Sequence, residues 1–230
     1  MKSLRTLSLL FAVSLLATAC QVETLLPPEV LEVHEQGFTR IDLTDLGLHI
    51  SGLPMEVIAE GEAESLAFMR EEEKLARDVY RALYYTWERS VFHNISQSEQ
   101  THTDAILVLL QRYELPDPAA DRGPGEFENT ELQALYDELT EQGEADLETA
   151  LRVGAAIEEI DLLDIQEALN EFIDNQDIAF VYGNLMRGSR NHLRAFVANL
   201  ETLGVTYEPR YLNPTDFETI LSQPVETGSL

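Results

Sequence analysis

The sequence has little cysteine and few basic residues. Cys20 is the single cysteine among 230 residues, so no disulfide can form within the chain and a zinc site built on several cysteines is excluded. Lys and Arg number 15 against 42 Asp and Glu, which gives a net charge of −27. Phosphate backbones would be repelled, so nucleic acid is excluded as the main partner. A negatively charged surface attracts cations. Solubility or adaptation to a saline habitat also explains a negative net charge.

Several binding and catalytic signatures are missing as well. The sequence contains no phosphate-binding glycine-rich loop, no Gly-x-Ser-x-Gly nucleophile motif and no ordered acidic calcium loop. Hydrophobic residues make up 44% and charged residues 25%, as is usual for a globular protein. At about 100–200 residues per domain, the length fits one sizeable domain with extensions.

The N-terminus has the pattern of a secretory signal. Lys2 and Arg5 precede an apolar run from Leu7 to Ala17, which is shorter than the about 20 residues of a transmembrane helix. Cys20 follows an Ala-Thr-Ala triplet, and this segment resembles a lipoprotein box. The resemblance implies cleavage of residues 1–19, lipidation of Cys20 and display on a bacterial cell envelope, on its periplasmic or outer-surface face. The lipid would be the only membrane attachment. An ordinary cleaved signal with a coincidental cysteine is the alternative.

Helical patterns dominate the chain from about residue 60. The sequence predicts long helices over about 60–88, 95–113, 145–173 and 175–203, and shorter ones at 131–142 and 214–222. We divide the mature chain into a spacer or cap with a short hairpin or turns (20–58), a helical domain (59–212) and a tail (213–230). Two helices, a long connection and two further helices predict an all-α fold. The specific expectation is a ferritin-like four-helix bundle with one long crossover and a small irregular N-terminal extension.

Ionisable residues interrupt the inward-facing positions of all four long helices. Helices of a bundle bury positions that alternate three and four residues apart. The interrupting residues are Glu73 on the first helix, Glu99 and His102 on the second, Glu158 and Asp161 on the third, and His192 on the fourth. A lone buried carboxylate costs several kcal/mol or takes up a proton. Because these acids together carry −4, two divalent cations would neutralise them.

The donor types narrow the choice of metal. In Glu99-x-x-His102 both groups lie on one helix face, one turn apart, as a shared metal requires. Carboxylate and imidazole suit iron best, with manganese or zinc as alternatives, and disfavour copper(I). Helical register leaves Glu72 as an alternative to Glu73, and Glu159 as an alternative to Glu158.

Four sequence strings resemble the ferritin-like superfamily, and rubrerythrin in particular. They are Glu73-Lys74-Leu75-Ala76-Arg77 with Tyr80, Glu99-x-x-His102 after Phe92 and Ile95, Ala156-Ile157-Glu158-x-x-Asp161, and Asn191-His192 with Phe196. Residues 71–80 and 188–196 are similar to an uncharacterised bacterial group, the domain-of-unknown-function family 2202. The resemblance covers about 64–212. It implies a four-helix bundle and metal binding by the six residues above, without an established reaction.

One position departs from the rubrerythrin pattern. The fourth helix of rubrerythrin usually carries Glu-x-x-His, whereas Ser189 occupies the glutamate position in this chain. Asp161, on the third helix, is a candidate for the missing carboxylate. If Asp161 does not reach the metal site, a site for one metal ion or an empty site is the alternative.

Two functional hypotheses follow. In the first, the site binds two ferrous ions and oxidises iron or reduces peroxide, with peroxide or dioxygen as reactant and Tyr80, Tyr182 and Ser189 as candidate supporting residues around the ligands. In the second, the chain is a non-catalytic envelope lipoprotein that acts as a sensor, scaffold or binding module with a structural metal or none. Ser189 favours the second, and so does the lack of the four cysteines that a rubredoxin-type electron-transfer domain needs. The sequence does not predict an oligomeric state.

Overall fold

The computed structural model describes residues 30–33 and 38–228, and this part of the chain is mainly helical. Its elements are β1 (Leu31–Val33), β2 (Thr39–Ile41), α1 (Leu43–Ser51), α2 (Glu60–Trp87), α3 (Ser90–Arg112), α4 (Thr130–Gly143), α5 (Leu147–Glu171), α6 (Gln176–Thr202) and α7 (Pro214–Ser222). The predicted all-α class is confirmed. The predicted signal segment and Cys20 lie outside the described residues.

Helix boundaries follow local capping chemistry. Asp42, Asn129, Asp146 and Asn213 precede α1, α4, α5 and α7, and each side chain accepts hydrogen bonds from backbone N–H groups of the first turn. The second long helix was predicted to start at 95, but it starts at Ser90. Glu88 adopts a left-handed conformation, with φ of 49°, and α3 begins two residues later. The chain therefore reverses direction between α2 and α3 within two residues, 88 and 89.

The four long helices pack in two sequential pairs. α2 lies mainly against α3 and α5 mainly against α6, while further contacts join α2 to α5 and α3 to α6. The side chains at their interfaces form two apolar clusters. Along every long helix, the candidate ligands lie between residues of one cluster and residues of the other. On α2, for example, Met69 belongs to one cluster and Ala76 to the other, with Glu73 between them.

The N-terminal region is a packed cap rather than a spacer where it is described. β1 and β2 form an antiparallel pair, and α1 follows directly. Val30, Leu31, Ile41, Leu46 and Ile50 are buried in the same cluster as Met69. This burial brings β2 next to α3 and α6. No helix among the described residues is both long and apolar enough to cross a membrane.

Candidate metal centre

All six candidate ligands are buried in the polar layer between the two apolar clusters. Both histidines are fully buried, the three glutamates are 1–2% exposed, and Asp161 is 6% exposed. They come from α2 (Glu73), α3 (Glu99, His102), α5 (Glu158, Asp161) and α6 (His192). Five of them form two overlapping groups of three, and Asp161 belongs to neither group.

Glu73, Glu99 and His102 form the first group. One ligand atom from each residue lies within 4.8 Å of the others. His102 Nδ1 is 2.8 Å from Glu99 Oε2 and 3.2 Å from Glu73 Oε2. The histidine therefore presents one nitrogen to two carboxylates from different helices.

Glu99, Glu158 and His192 form the second group. His192 Nδ1 is 2.9 Å from Glu99 Oε1 and 3.4 Å from Glu158 Oε2. Glu99 thus turns one oxygen toward each histidine, and the two imidazole rings lie 5.3 Å apart between centroids, tilted by 24°. A carboxylate shared in this way is positioned to bridge two cations.

The contact of His102 with Glu73 Oε2 is a hydrogen bond, but the other short contacts lack hydrogen-bond geometry. Glu99 Oε2 and His192 Nδ1 are buried without a hydrogen-bond partner, and so is the second oxygen of Glu73, Oε1. Two ligand atoms bound about 2.0–2.2 Å from one cation, at right or tetrahedral angles, lie about 2.8–3.5 Å apart. The four separations between histidine nitrogens and carboxylate oxygens, 2.8–3.4 Å, fall in this range. These residues could therefore hold metal ions.

Other buried acids have structural partners. Glu71 accepts hydrogen bonds from the backbone N–H groups of Glu128 and Asn129. Glu159 accepts from the hydroxyl of Tyr207 and from the backbone N–H groups of residues 210–212. The sequence left open whether Glu158 or Glu159 is the candidate ligand. Because Glu159 already has these partners, Glu158 is the residue at the candidate centre.

In the absence of metal, burial moves the pKa of two of the carboxyls toward neutral pH. It raises the pKa of Glu73 to about 7 and that of Glu158 to about 6. Glu99 differs, because His192 and His102 outweigh burial and lower its pKa below the ordinary value. Glu99 is therefore the permanent anion of the group.

The two histidines have raised pKa values. Burial disfavours their charged form, but Glu73 and Glu99 raise the pKa of His102 well above its ordinary value. Glu99 and Glu158 likewise outweigh burial and raise the pKa of His192 to about 9. Without a metal, protons supply the positive charge that these carboxylates require.

Two of the three expected supporting residues contact candidate ligands. The Tyr80 hydroxyl donates to Glu158 Oε1 at 2.5 Å, and the Ser189 hydroxyl donates to Asp161 Oδ2. Tyr182 was expected to do the same, but its hydroxyl is hydrogen-bonded to Ser65 instead, at 2.9 Å. Ser189 fixes one Asp161 oxygen and leaves Oδ1 without a partner.

Two further residues at the site were missed by sequence reasoning. Thr39 Oγ1, on β2, lies 2.6 Å from His192 Nε2. Gly188 lies against His102, since a Cβ atom at position 188 would be 2.5 Å from Nε2. No local pattern marks Thr39, because its partner is 153 positions away in sequence. Gly188 carries only a weak signal, as an isolated glycine inside a helical pattern.

Comparison with known proteins places the chain in a family. Residues 62–224 match the family described as an uncharacterized protein domain, DUF2202. The chain belongs to this family. The matched residues include all six candidate ligands, and Thr39 precedes them. The expected similarity to family 2202 is thus confirmed.

A relative of known structure extends the comparison. The uncharacterized protein MJ0754 of Methanocaldococcus jannaschii is 48% identical over 180 residues, which cover 78% of this chain and 97% of the relative. A crystal structure titled as hypothetical protein MJ0754 from Methanococcus jannaschii aligns with a TM-score of 0.74 at 48% identity. The alignment covers 76% of this chain and 99% of that one.

Proposed function

We propose that this protein binds two divalent metal ions between its four long helices, with Glu99 shared by both. Glu73 and His102 would complete the set for one ion, and Glu158 and His192 the set for the other. The observation that carries the proposal is that Glu99 Oε2 faces His102 while Oε1 faces His192. One buried carboxylate thereby serves two otherwise separate donor groups.

Charge balance supports two ions. Glu73, Glu99, Glu158 and Asp161 carry a total charge of −4 when ionised. Two divalent ions supply +4, which balances this charge when both imidazoles are neutral. Asp161 contributes its charge from a position beside the two donor groups. A buried set of unpaired carboxylates is costly, so bound cations would also stabilise the folded chain.

We further propose that the four long helices form a ferritin-like bundle and that iron is the metal, with manganese or zinc as alternatives. The mixed carboxylate and imidazole donors support this choice. A bound iron pair would supply redox chemistry toward dioxygen or peroxide. Each donor group offers three protein ligands, which leaves coordination positions free, as in catalytic sites.

The chain's own residues have defined roles in this proposal. Tyr80 holds Glu158 through its hydroxyl, and the Thr39 hydroxyl is hydrogen-bonded to Nε2 of His192, so that Nδ1 is the nitrogen that would bind a metal. The apolar clusters on both sides keep bulk water from the polar layer. For the lipoprotein assignment, Cys20 and the preceding apolar run remain the support.

Anaerobic titration of the metal-free protein with ferrous iron, followed by air, tests this function. We expect binding to saturate at two ions per chain and ferric absorbance to develop faster than in buffer alone. The double variant that combines Glu99→Ala with His102→Ala should abolish the saturable binding. Binding without faster oxidation would contradict the redox role and leave a metal-holding protein.

A structural metal site is the second candidate. The complete burial of both histidines favours it, since a buried site exchanges reactants slowly. In that case chelation would lower the midpoint of thermal unfolding, and iron oxidation would match the rate in buffer.

A further inference from the structure

Two buried carboxylates beside the candidate centre have an oxygen atom without a hydrogen-bond partner. Glu72 is 5% exposed with Oε2 unpartnered, and Asp161 is 6% exposed with Oδ1 unpartnered. Both side chains line one narrow crevice between α2, α4 and α5, whose other lining residues are apolar. The crevice therefore brings together two carboxylates from different helices with free oxygen atoms.

Further acids continue from this crevice toward the protein surface. Asp164 neighbours Glu72, since after burial the charges of Asp161 and Asp164 are the main causes that raise the pKa of Glu72. Asp164 is partly exposed and lines a groove of about 330 Å³ together with the exposed Glu64 and Glu167. Exposure thus decreases from Glu64 through Asp164 to Glu72.

The inner end of this series reaches the candidate centre. Asp161 lies one helical turn from Glu158 on α5, and Glu72 directly precedes Glu73 on α2. Among the described residues that line the crevice and the groove, none is basic. Nothing basic in this lining offsets the charge, so the free oxygen atoms require a cation or a proton.

We propose that Glu72 and Asp161 form a loading site for a divalent cation, which arrives from the groove at Asp164, sheds its water at the narrow crevice and then passes to the buried pair. This inference rests on the proposed metal-binding function. Oxygen-only donors select hard divalent cations, and binding here is weaker than at the histidine-containing groups. Weak binding allows the cation to move on.

Stopped-flow mixing of the metal-free protein with Co²⁺ tests the loading site. The visible absorbance of Co²⁺ bound to imidazole and carboxylate reports filling of the buried pair. Glu72→Gln and Asp164→Asn should each slow this filling about tenfold, because removing an acid from a focusing cleft lowers the association rate. The final absorbance should equal that of the wild type.

Glu201→Gln is the matched control, since it removes one exposed acid from α6 outside the groove. Its buried pair should fill with Co²⁺ as fast as that of the wild type.

Equal rates for all three variants would overturn the loading site while leaving the metal centre intact. A lower final absorbance in Glu72→Gln at an unchanged rate would make Glu72 a ligand of the pair and also overturn it. A wild type that binds no Co²⁺ would reject the metal centre and the loading site together. Asp164 is partly exposed, so Asp164→Asn keeps the test valid if Glu72→Gln folds poorly.

Discussion

At the scale of single residues, the site depends on which buried polar atoms have partners. Glu71 and Glu159 are saturated by backbone N–H groups and therefore hold loops. Glu73 and Glu99 each keep a buried oxygen without a hydrogen bond. A buried carboxylate oxygen without a hydrogen bond is costly, so these are the atoms at which the proposed cations would contribute most.

Gly188 provides a test of His102 at this scale. In Gly188→Ala the new Cβ would lie 2.5 Å from His102 Nε2, so the imidazole must shift away from its carboxylates. We expect the free energy of unfolding to fall by about 1–3 kcal/mol and metal affinity to fall about tenfold. Chemical denaturation and chelator competition measure the two effects.

Gly47→Ala is the matched control, because nothing lies within 4 Å of a Cβ at that position of α1. It should stabilise the protein by up to about 1 kcal/mol through helix propensity and leave metal affinity unchanged. Unchanged metal affinity in Gly188→Ala would contradict the role of His102 as a ligand.

The residue scale also separates what sequence could reveal from what it could not. Helical spacing marks Glu73, Glu99 and His192 because an ionisable residue among inward-facing apolar ones is conspicuous. The same spacing cannot separate Glu158 from Glu159, since both are buried and only the contacts of residues 207–212 show that Glu159 is occupied. Those contacts join positions about fifty apart, beyond any local pattern.

At the scale of elements, the β1–β2 hairpin completes the site. It was expected only as part of a spacer or cap, because three-residue strands carry almost no periodic signal. In the structure, the Thr39 hydroxyl is hydrogen-bonded to His192, and the backbone N–H of Thr39 donates to the Ser98 hydroxyl. Long amphipathic helices are predictable from their own sequence, whereas a short hairpin is fixed by the helices on which it packs.

Thr39→Val tests whether the hairpin orients His192. Loss of the hydroxyl leaves Nε2 without its partner, so we expect metal affinity to fall by about 10–100-fold. Thr101→Val is the control, because Thr101 anchors the hairpin through the backbone N–H of Ile41 and contacts no candidate ligand in the described hydrogen bonds. Chelator competition measures both affinities. An equal loss in the two variants would assign the effect to hairpin attachment rather than to His192.

At the scale of the whole molecule, stability should depend on pH in opposite ways with and without metal. The pKa values of His192, at about 9, and of Glu73, at about 7, both lie above their unfolded values. The metal-free folded state therefore binds more protons than the unfolded state, and its stability falls as pH rises from about 5 to about 9. Glu99 acts oppositely, but its contribution is already complete in that range because its pKa is lowered.

Thermal unfolding across this pH range measures the effect. The midpoint of the chelator-treated protein should fall with rising pH. Added metal should raise the midpoint more at high pH, because metal must displace the protons held by the site. A stabilisation by metal that is the same at pH 6 and pH 9 would contradict proton displacement at these residues.

The acidic composition of the chain does not by itself locate a metal site. A net charge of −27 identifies cations as partners in general, but it cannot distinguish a solvated surface from a binding site. The structure places all six candidate ligands in one buried layer between two apolar clusters, away from the solvated surface. The function proposed here depends on that layer and not on the surface charge.

Elemental analysis of the protein purified from metal-replete medium is the most direct measurement of the central claim. The account predicts two transition-metal ions per wild-type chain and less than one in Glu99→Gln, with Glu201→Gln retaining two. A wild-type protein that is folded yet free of metal, or a Glu99→Gln variant with the full wild-type content, would contradict it.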